Sequence, residues 1–391
     1  MKILRTLPTA RLIALIGAIV IVLAGGAFAV AARGGSGSTP PPMPLAQAIH
    51  DALGSAAPAG VTARISFTNT LFPSGALTGQ TGSALMTGAS GRLWANANGG
   101  RLELQSSAGD AQIVWNATKV TVYDATSNTA YVFDLPQQTG TAATTAHTVP
   151  TLDEITTFLA NLGKHWTVSG AQPSNVSGEQ AYTVTISPSH DGGLLGSAEL
   201  AWDALHGTPL KVAIYAQGAS APVLALEASK ISFGSVPDSV VAVSPPAGAK
   251  IIDLSSQAGS TTGGGTTTPP VTGLAAVQAA APFPVVAPDT LVGLPRQDVR
   301  LVGPAGSQSA IVVYGQGLGA IVVVERKQDA AKTGGAGVLG ALPSVSLDGV
   351  TAHELATQLG TVLSWDSSGV SYILAGSVPT SAAESAARLL K

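Results

Sequence analysis

Apolar and polar residues alternate through most of this chain. Between Gly60 and Leu71, Val61, Ala63, Ile65 and Phe67 fall on one side of an extended strand, and Thr62, Arg64, Ser66 and Thr68 on the other. The same period of two predicts strands at Arg101–Leu104, Ala111–Asn116, Lys119–Tyr123, Ala130–Leu135, Trp166–Ser169, Ala181–Ser187, Ser197–Asp203, Leu210–Ala216 and Val223–Phe233. Gly, Asn, Asp and Ser turn signals separate them, with Ala125–Asn128 as a hairpin connection. Two segments keep a helical period instead. Leu45, Ile49 and Leu53 form one stripe. Thr151-Leu-Asp-Glu154 is a capping-box pattern that opens a helix with Leu152, Ile155, Leu159 and Leu162 on one face and Gly163 at its end. About ten strands with one apolar face must curl and cover that face. The expectation is a mostly β, α+β chain: a curved antiparallel incomplete β-barrel over residues 45–254, with the two helices as its lid.

A smaller α+β domain is expected over 274–391. Ala310–Tyr314 and Ala320–Glu325 read as strands joined by Gly315-Gln-Gly-Leu-Gly319. Thr351–Leu359 reads as a short helix, Thr361–Asp366 and Val370–Ala375 as a hairpin around Ser367–Gly369, and Ser381–Lys391 as a terminal helix carrying Ala382, Ala386, Leu389 and Leu390. Two low-complexity stretches separate these parts. Residues 34–44 (GGSGSTPPPMP) read as a flexible then stiff spacer holding the next domain off the membrane, and 255–273 (SSQAGSTTGGGTTTPPVTG) as a linker.

The first thirty-three residues set the compartment. Lys2, Arg5 and Arg11 precede an uncharged apolar run from Leu12 to Ala32, about the length that spans a bilayer as a helix. Basic residues on its N-terminal side keep that end in the cytoplasm and send the rest outward. The expectation is a single-pass cell-membrane anchor with an extracytoplasmic bulk. Ala27-Phe28-Ala29 has the small-x-small form of a cleavage site, and cutting there would release a secreted protein. The sequence holds no Cys, which excludes a lipidated cysteine, disulfides and thiolate metal sites.

Charged residues make up only 10% of the chain, so its surface is built from Thr, Ser, Gln, Asn, Ala and Gly. The formal net charge is −3, and without Lys2, Arg5, Arg11 and Arg33 it is −7. With no basic cluster, nucleic acid is excluded as a partner. None of the six His residues sits in a zinc-type motif. His190-Asp191-Gly192-Gly193 reads as a turn, Asp153 and Glu154 as first-turn charges suited to the helix dipole, and Gly315–Gly319 as a strand connection lacking the Lys-Ser/Thr of a phosphate loop. No nucleophile, base and oxyanion donor assemble. The chain reads as a non-enzyme without cofactor or metal.

The candidate site is the concave apolar wall. Alternation assigns to it Ile65, Phe67, Leu102, Leu104, Ile113, Trp115, Val120, Val122, Tyr131, Phe133, Tyr182, Val184, Ile186, Leu200, Trp202, Val212, Ile214, Leu224 and Leu226. Leu45, Ile49, Leu53, Ile155 and Leu159 are its lid. These side chains either fill one another as an ordinary core or leave a cavity for a ligand.

Several segments resemble the LolA/LppX/RseB group of bacterial envelope proteins. They are Val120–Asp124 with Ala130–Pro136, Ala181–Pro188 followed by Ala198–Asp203 and Gly207–Val212, and Ser244–Lys250. The resemblance covers about half the chain and rests on order and spacing. It implies an incomplete β-barrel closed by helices, binding acyl chains of lipids or lipoproteins inside. Tyr314–Gly319, Trp365 and Tyr372–Gly376 look like the small domains appended to membrane-anchored anti-sigma-type and lipoprotein-sorting-like proteins of high-GC Gram-positive bacteria. An anchored two-domain form cannot shuttle between membranes. It implies a membrane-bound carrier or chaperone, or an RseB-like envelope sensor acting through an envelope protein partner such as an anti-sigma factor.

Overall fold

The computed structural model describes residues 38–56, 58–71, 84–135, 149–255, 271–304, 306–328, 339 and 342–390. The run Leu12–Ala32 and most of 255–273 lie outside them. Among the described residues no helix is long and apolar enough to cross a membrane.

The alternating segments pair into one open sheet of thirteen strands. These are β1 (Val61–Asn69), β2 (Ala89–Asn96), β3 (Gly99–Ser106), β4 (Gly109–Asn116), β5 (Lys119–Asp124), β6 (Thr129–Asp134), β7 (Trp166–Val168), β8 (Gln172–Val176), β9 (Glu179–Pro188), β10 (Leu195–Asp203), β11 (Pro209–Ala216), β12 (Leu224–Phe233) and β13 (Lys250–Asp253). Their order is β13-β6-β5-β4-β3-β2-β1-β12-β11-β10-β9-β7, with β8 also against β9. Two hairpin meanders therefore meet at the β1–β12 pair. The sequence reading missed β2, β8 and β13. β2 carries mostly small residues on its apolar face, Ala89, Gly91 and Ala95 around Leu93, with Trp94 on the other face, and β8 and β13 are short strands. β13 pairs parallel to β6, the one departure from antiparallel pairing in this sheet.

Three helical pieces cover one face or its rim: α1 (Leu45–Gly54), α2 (Ala84–Thr87) and α3 (Leu152–Leu162). The capping box on α3 forms: the Thr151 side chain accepts from the Glu154 amide, and the Glu154 carboxylate accepts from the Thr151 amide. Those bonds hold the Glu154 carboxyl below its ordinary value. The chain before α1 does not stand free as a spacer. Pro40 is buried, the Tyr182 hydroxyl donates to the Pro41 carbonyl at 2.6 Å, and the Gln180 side-chain amide donates to Ser38 Oγ. Residues 38–44 are laid along β8 and β9. After β12, the short α4 (Asp238–Val241) anchors to the β2–β3 turn, where Asp238 accepts from the side-chain amides of Asn96 and Asn98.

A second sheet of nine strands follows. It comprises β14 (Val271–Thr272), β15 (Thr290–Leu291), β16 (Leu294–Val302), β17 (Ser309–Tyr314), β18 (Ile321–Lys327), β19 (Ser344–Leu347), β20 (Val350–Thr357), β21 (Gly360–Ser367) and β22 (Val370–Gly376). Its order is β14-β16-β17-β18-β22-β21-β20-β19. Helices α5 (Leu274–Ala280) and α6 (Thr380–Arg388) cover its apolar face, burying Val277, Ala383, Ala386, Ala387 and Leu390 against Leu301, Val312, Leu363 and Leu374. The segment expected as a helix at Thr351–Leu359 is strand β20, paired on both sides with β19 and β21. Its Thr-Ala-His-Glu-Leu-Ala-Thr composition has helical propensity, but two flanking strands satisfy its backbone and override it. In α6 the buried face is Ala383, Ala386 and Ala387 with Leu390, while Leu389, expected inside, is 59% exposed.

Candidate functional site: the concave apolar face

The pairing register tests the alternation residue by residue. Tyr182 lies opposite Trp202, Val184 opposite Leu200, and Leu200 opposite Val212. Val212 lies opposite Leu226, and Leu226 opposite Phe67. Ile186, Ala198, Ile214 and Leu224 form the next row. On the other side of β1, Ala63, Leu93, Leu102, Ile113, Val122 and Tyr131 form one row across five pairings. Trp115, Val120 and Phe133 form another. Ile65 and Leu104 meet through Gly91. Because side chains alternate with period two, all nineteen assigned wall residues share one face. The opposite face is polar at its centre, where Lys211 meets Glu199 at 2.8 Å and the Tyr215 hydroxyl meets Glu199 at 3.3 Å.

Burial along this face is uneven. Ile65, Leu102, Leu104, Trp115, Val120, Tyr182, Val184 and Trp202 are buried. Phe67, Ile113, Val122, Tyr131, Phe133, Ile186, Leu200, Val212, Ile214, Leu224 and Leu226 are half-buried. α1 packs on the β9–β10 end, where Leu45, Ala48 and Ala52 join Tyr182, Val184 and Trp202, and Ala84 and Leu85 of α2 pack over the centre. The helical stripe differs from expectation. Ala48 is the buried residue of α1, Ile49 is half-buried, and Leu53 is 56% exposed. Small residues bring α1 close to two large aromatic rings, which a period count of large apolar residues overlooks. In α3, Ile155 is buried and Leu159 half-buried, but Leu152 is exposed and Phe158 is 63% exposed. α3 therefore lies at the rim, against α1 and β7, rather than on the wall.

Among the described residues a hollow of about 70 Å³ lies over the wall, lined by Val61, Ala63, Ile65, Trp115, Leu210, Val212, Leu226 and Ile231 among others. A water molecule's share of liquid is about 30 Å³ and ligand pockets run from about 300 Å³ upward. The hollow is too small for an acyl chain, so occupancy needs the lid to move. Val61, Ala63 and Leu210 were not among the assigned wall residues. Val61 and Ala63 sat on the right face of the sequence alternation, and Leu210 enters through the irregular register at the start of β11.

Comparison with known proteins finds likeness at low similarity. No family model matches the chain, and no curated protein matches it. Its fold resembles MucB in the Pseudomonas aeruginosa MucA/MucB complex, at 13% identity and TM-score 0.42, covering 88% of this chain and 94% of that one. MucB in complex with MucA(peri) is similar at 14% identity and TM-score 0.40, with the same coverage. A domain from Vibrio parahaemolyticus, classed as outer membrane lipoprotein-sorting, is similar at 10% identity and TM-score 0.20, covering 51% of this chain and 94% of that one. These likenesses leave function to the geometry.

Two other constellations bear on the site. Asp203, 2% exposed, accepts from both the His206 amide and His206 Nδ1, each at 2.6 Å, and the His206 ring lies 4.2 Å from the Phe233 ring. Both bonds fall on the same carboxylate oxygen and close the β10–β11 turn, so the pair is a clasp. Burial, with Asp203 nearby, raises the Glu179 carboxyl. Among the described residues no group of three His, Asp or Glu could hold a metal ion.

The second constellation joins the two sheets. The Leu194 amide donates to the Ser377 carbonyl at 3.1 Å and to Ser377 Oγ at 3.0 Å, Gln358 Nε2 donates to the Thr70 carbonyl at 3.0 Å, and Leu359 packs on Leu71 and Val223. Asp191 lies against Gly319, so the two turns read separately from the sequence, His190–Gly193 and Gly315–Gly319, meet here. A cleft of about 300 Å³ runs between the sheets, bordered by Asp191, Leu194, Leu294, Ile321 and Val378. Gly193 holds the contact, with φ of +62° and a Cβ that would lie 2.2 Å from the Ser377 carbonyl oxygen. Gly193→Ala meets both a left-handed backbone, costing about 1–2 kcal/mol, and that overlap. The variant is expected to separate the two sheets, read as a larger radius of gyration by small-angle scattering. An unchanged scattering curve would show that the other contacts suffice.

The second sheet buries an unusual carboxyl. Glu325 is fully buried, one oxygen accepts from the Val286 amide at 2.9 Å, and the other has no partner. Burial raises it to about 7. Tyr314 Oη and Trp365 Nε1 are likewise unpaired, and Trp365 stacks on Tyr372 at 5.0 Å. Burial and the nearby Glu325 push Tyr372 up to about 12 and raise Tyr314 as well.

Proposed function

We propose that this chain is a non-enzymatic, membrane-anchored extracytoplasmic protein that binds acyl chains of lipids or lipoproteins against its concave face. One observation supports the reading: nineteen apolar side chains from nine strands share one wall, and eleven of them are left half-buried. An ordinary core of this size would cover them. Each CH₂ laid against such a wall gains about 0.8 kcal/mol, so a long acyl chain offsets the work of lifting α1. That helix is held by Leu45, Ala48 and Ala52 and by the chain before it, while α3 adds only rim contacts, so the lid is the part of the first sheet with least to lose.

A second reading has its own support. The hollow is small and the cleft between the sheets is larger, which suits an RseB-like sensor or interaction module that meets an envelope protein partner across both sheets. Photoactivatable palmitate, added to the full chain in mixed micelles, separates the two. Lipid binding predicts crosslinks on the Tyr182, Leu200, Val212 and Leu226 wall. Crosslinks confined to residues 12–32, or scattered over the outer surface, would leave the interaction module as the surviving reading.

A further inference from the structure

We propose that the end of the first sheet bearing the β8–β9 and β10–β11 turns is the face that lies on the bilayer, with Leu205 at the contact. The proposal rests on reading Leu12–Ala32 as an anchor, and it is independent of whether the wall takes lipid.

Only Arg33–Gly37 separates the apolar run from Ser38. Five residues extend at most about 17 Å. Ser38 is itself fixed: Gln180 donates to its hydroxyl, Asn175 Nδ2 donates to its carbonyl at 3.4 Å, and Pro40 and Pro41 continue along β9 through burial and the Tyr182 hydroxyl. A free linker of residues 34–44 would let the domain tumble above the membrane. A pinned one brings whichever end of the sheet holds Ser38 to within that short reach of the lipid.

Strand direction then says what else is at that end. The Ala204 amide donates to the Gln180 carbonyl at 2.8 Å, so the turn Ala204–Thr208 adjoins Ser38's partners. Ser177 of the β8–β9 turn bonds to the Ala228 carbonyl of β12. Val61 opposite Phe233 and Asn96 opposite Gly99 place the start of β1 and the Ala97–Asn98 turn at the same end. The second sheet docks at the other end, through Thr70 and Leu194. The tether and the second sheet thus occupy opposite poles of the first.

The tethered pole has the surface a neutral membrane interface accepts. Its turns, Ser177–Gly178, Ala204–Thr208, Gly234–Pro237 and Ala97–Asn98, contain no Lys, Arg, Asp or Glu. Of the charges bordering these turns, Asp203 is buried under His206, Asp238 is bonded to Asn96 and Asn98, Glu179 is half-buried, the exposed Asp51 accepts from Gln47, and the exposed Lys119 and Asp134 beside the β4–β5 turn of the same pole face each other at 3.9 Å. Leu205 projects from this pole, 46% exposed. The concave hollow also lies toward it, bordered by Val61, Thr208, Pro209 and Ile231.

The sequence has no cysteine, so a single introduced thiol is a clean probe. Leu205→Cys at the tethered pole and Ser220→Cys at the far one, both exposed, would each carry a fluorophore in the full chain, reconstituted into phosphatidylcholine vesicles containing nitroxide-headgroup lipid. Quenching is expected to be at least threefold stronger at position 205 than at 220. Equal quenching, or stronger quenching at 220, in a chain that floats with the vesicles would overturn the docking face while leaving the anchor intact. A chain that fails to float would overturn both.

Discussion

Trp115→Ala is expected to destabilise the first sheet by about 3–5 kcal/mol while strengthening its binding of fatty acid. Both effects come from where the indole sits. Trp115 is 6% exposed, and its ring lies flat on Gly100, where a Cβ would come within 2.1 Å of a ring carbon. The glycine exists to make room for the ring, and the ring in turn plugs one side of the hollow over the wall. Truncation removes the contacts of a buried aromatic and leaves a cavity that the strands only partly collapse into, the costliest kind of core substitution. The same cavity adds apolar volume to the present 70 Å³. Denaturant unfolding gives the first effect, and displacement of a fluorescent fatty acid from the full chain gives the second. Loss of stability with no gain in binding would mean the wall is a closed core, and acyl binding would have to be abandoned.

Glu325→Gln is expected to remove a pH dependence from the second sheet. The folded carboxyl titrates at about 7, above its ordinary value of 4.5. The unfolded chain therefore releases this proton first as pH rises. Stability falls between about pH 4.5 and 7 and stays at the lower level above, a loss of about 3 kcal/mol by linkage. Glutamine keeps an acceptor for the Val286 amide and carries no charge. The groups around the site, Tyr314 and Tyr372, stay neutral throughout this range because burial raises both. The variant is expected to match the wild type near pH 4.5 and to exceed it by about 2–3 kcal/mol at pH 8, measured by hydrogen exchange of β17, β18 and β22 amides. Parallel pH profiles in the two proteins would show that this carboxyl is not the source.

Much of the wall was legible because strands write their faces in the sequence with period two. Val120–Tyr123, Ala130–Leu135 and Ala181–Ser187 each put large apolar residues on alternate positions, and the register joins them as one surface. The lid was less legible. A helix face built from Ala48 and Ala52 gives a weaker apolar signal than one built from Ile49 and Leu53, yet the small residues are the ones that approach Tyr182 and Trp202. Strand β20 reads as a helix because its residues favour one locally, and pairing with its neighbours β19 and β21 across the two-residue turns Asp348–Gly349 and Gln358–Leu359 overrides that preference. The joint between the sheets was hidden because its partners are distant in the chain. Gly193 and Ser377 are far apart in sequence, and each alone looks like an ordinary turn.

The central β1–β12 pairing also governs how such a chain is made. β1 to β6 zip together as neighbouring hairpins soon after they emerge, but the inner edge of β1 stays bare until Leu224–Phe233 arrives. Until then a long row of unpaired amides and carbonyls sits beside Val61, Ala63 and Ile65, a template for wrong partners. Joining ends so distant along the chain is slow. Folding of this chain should therefore gain from anything that shields that edge until β12 is made.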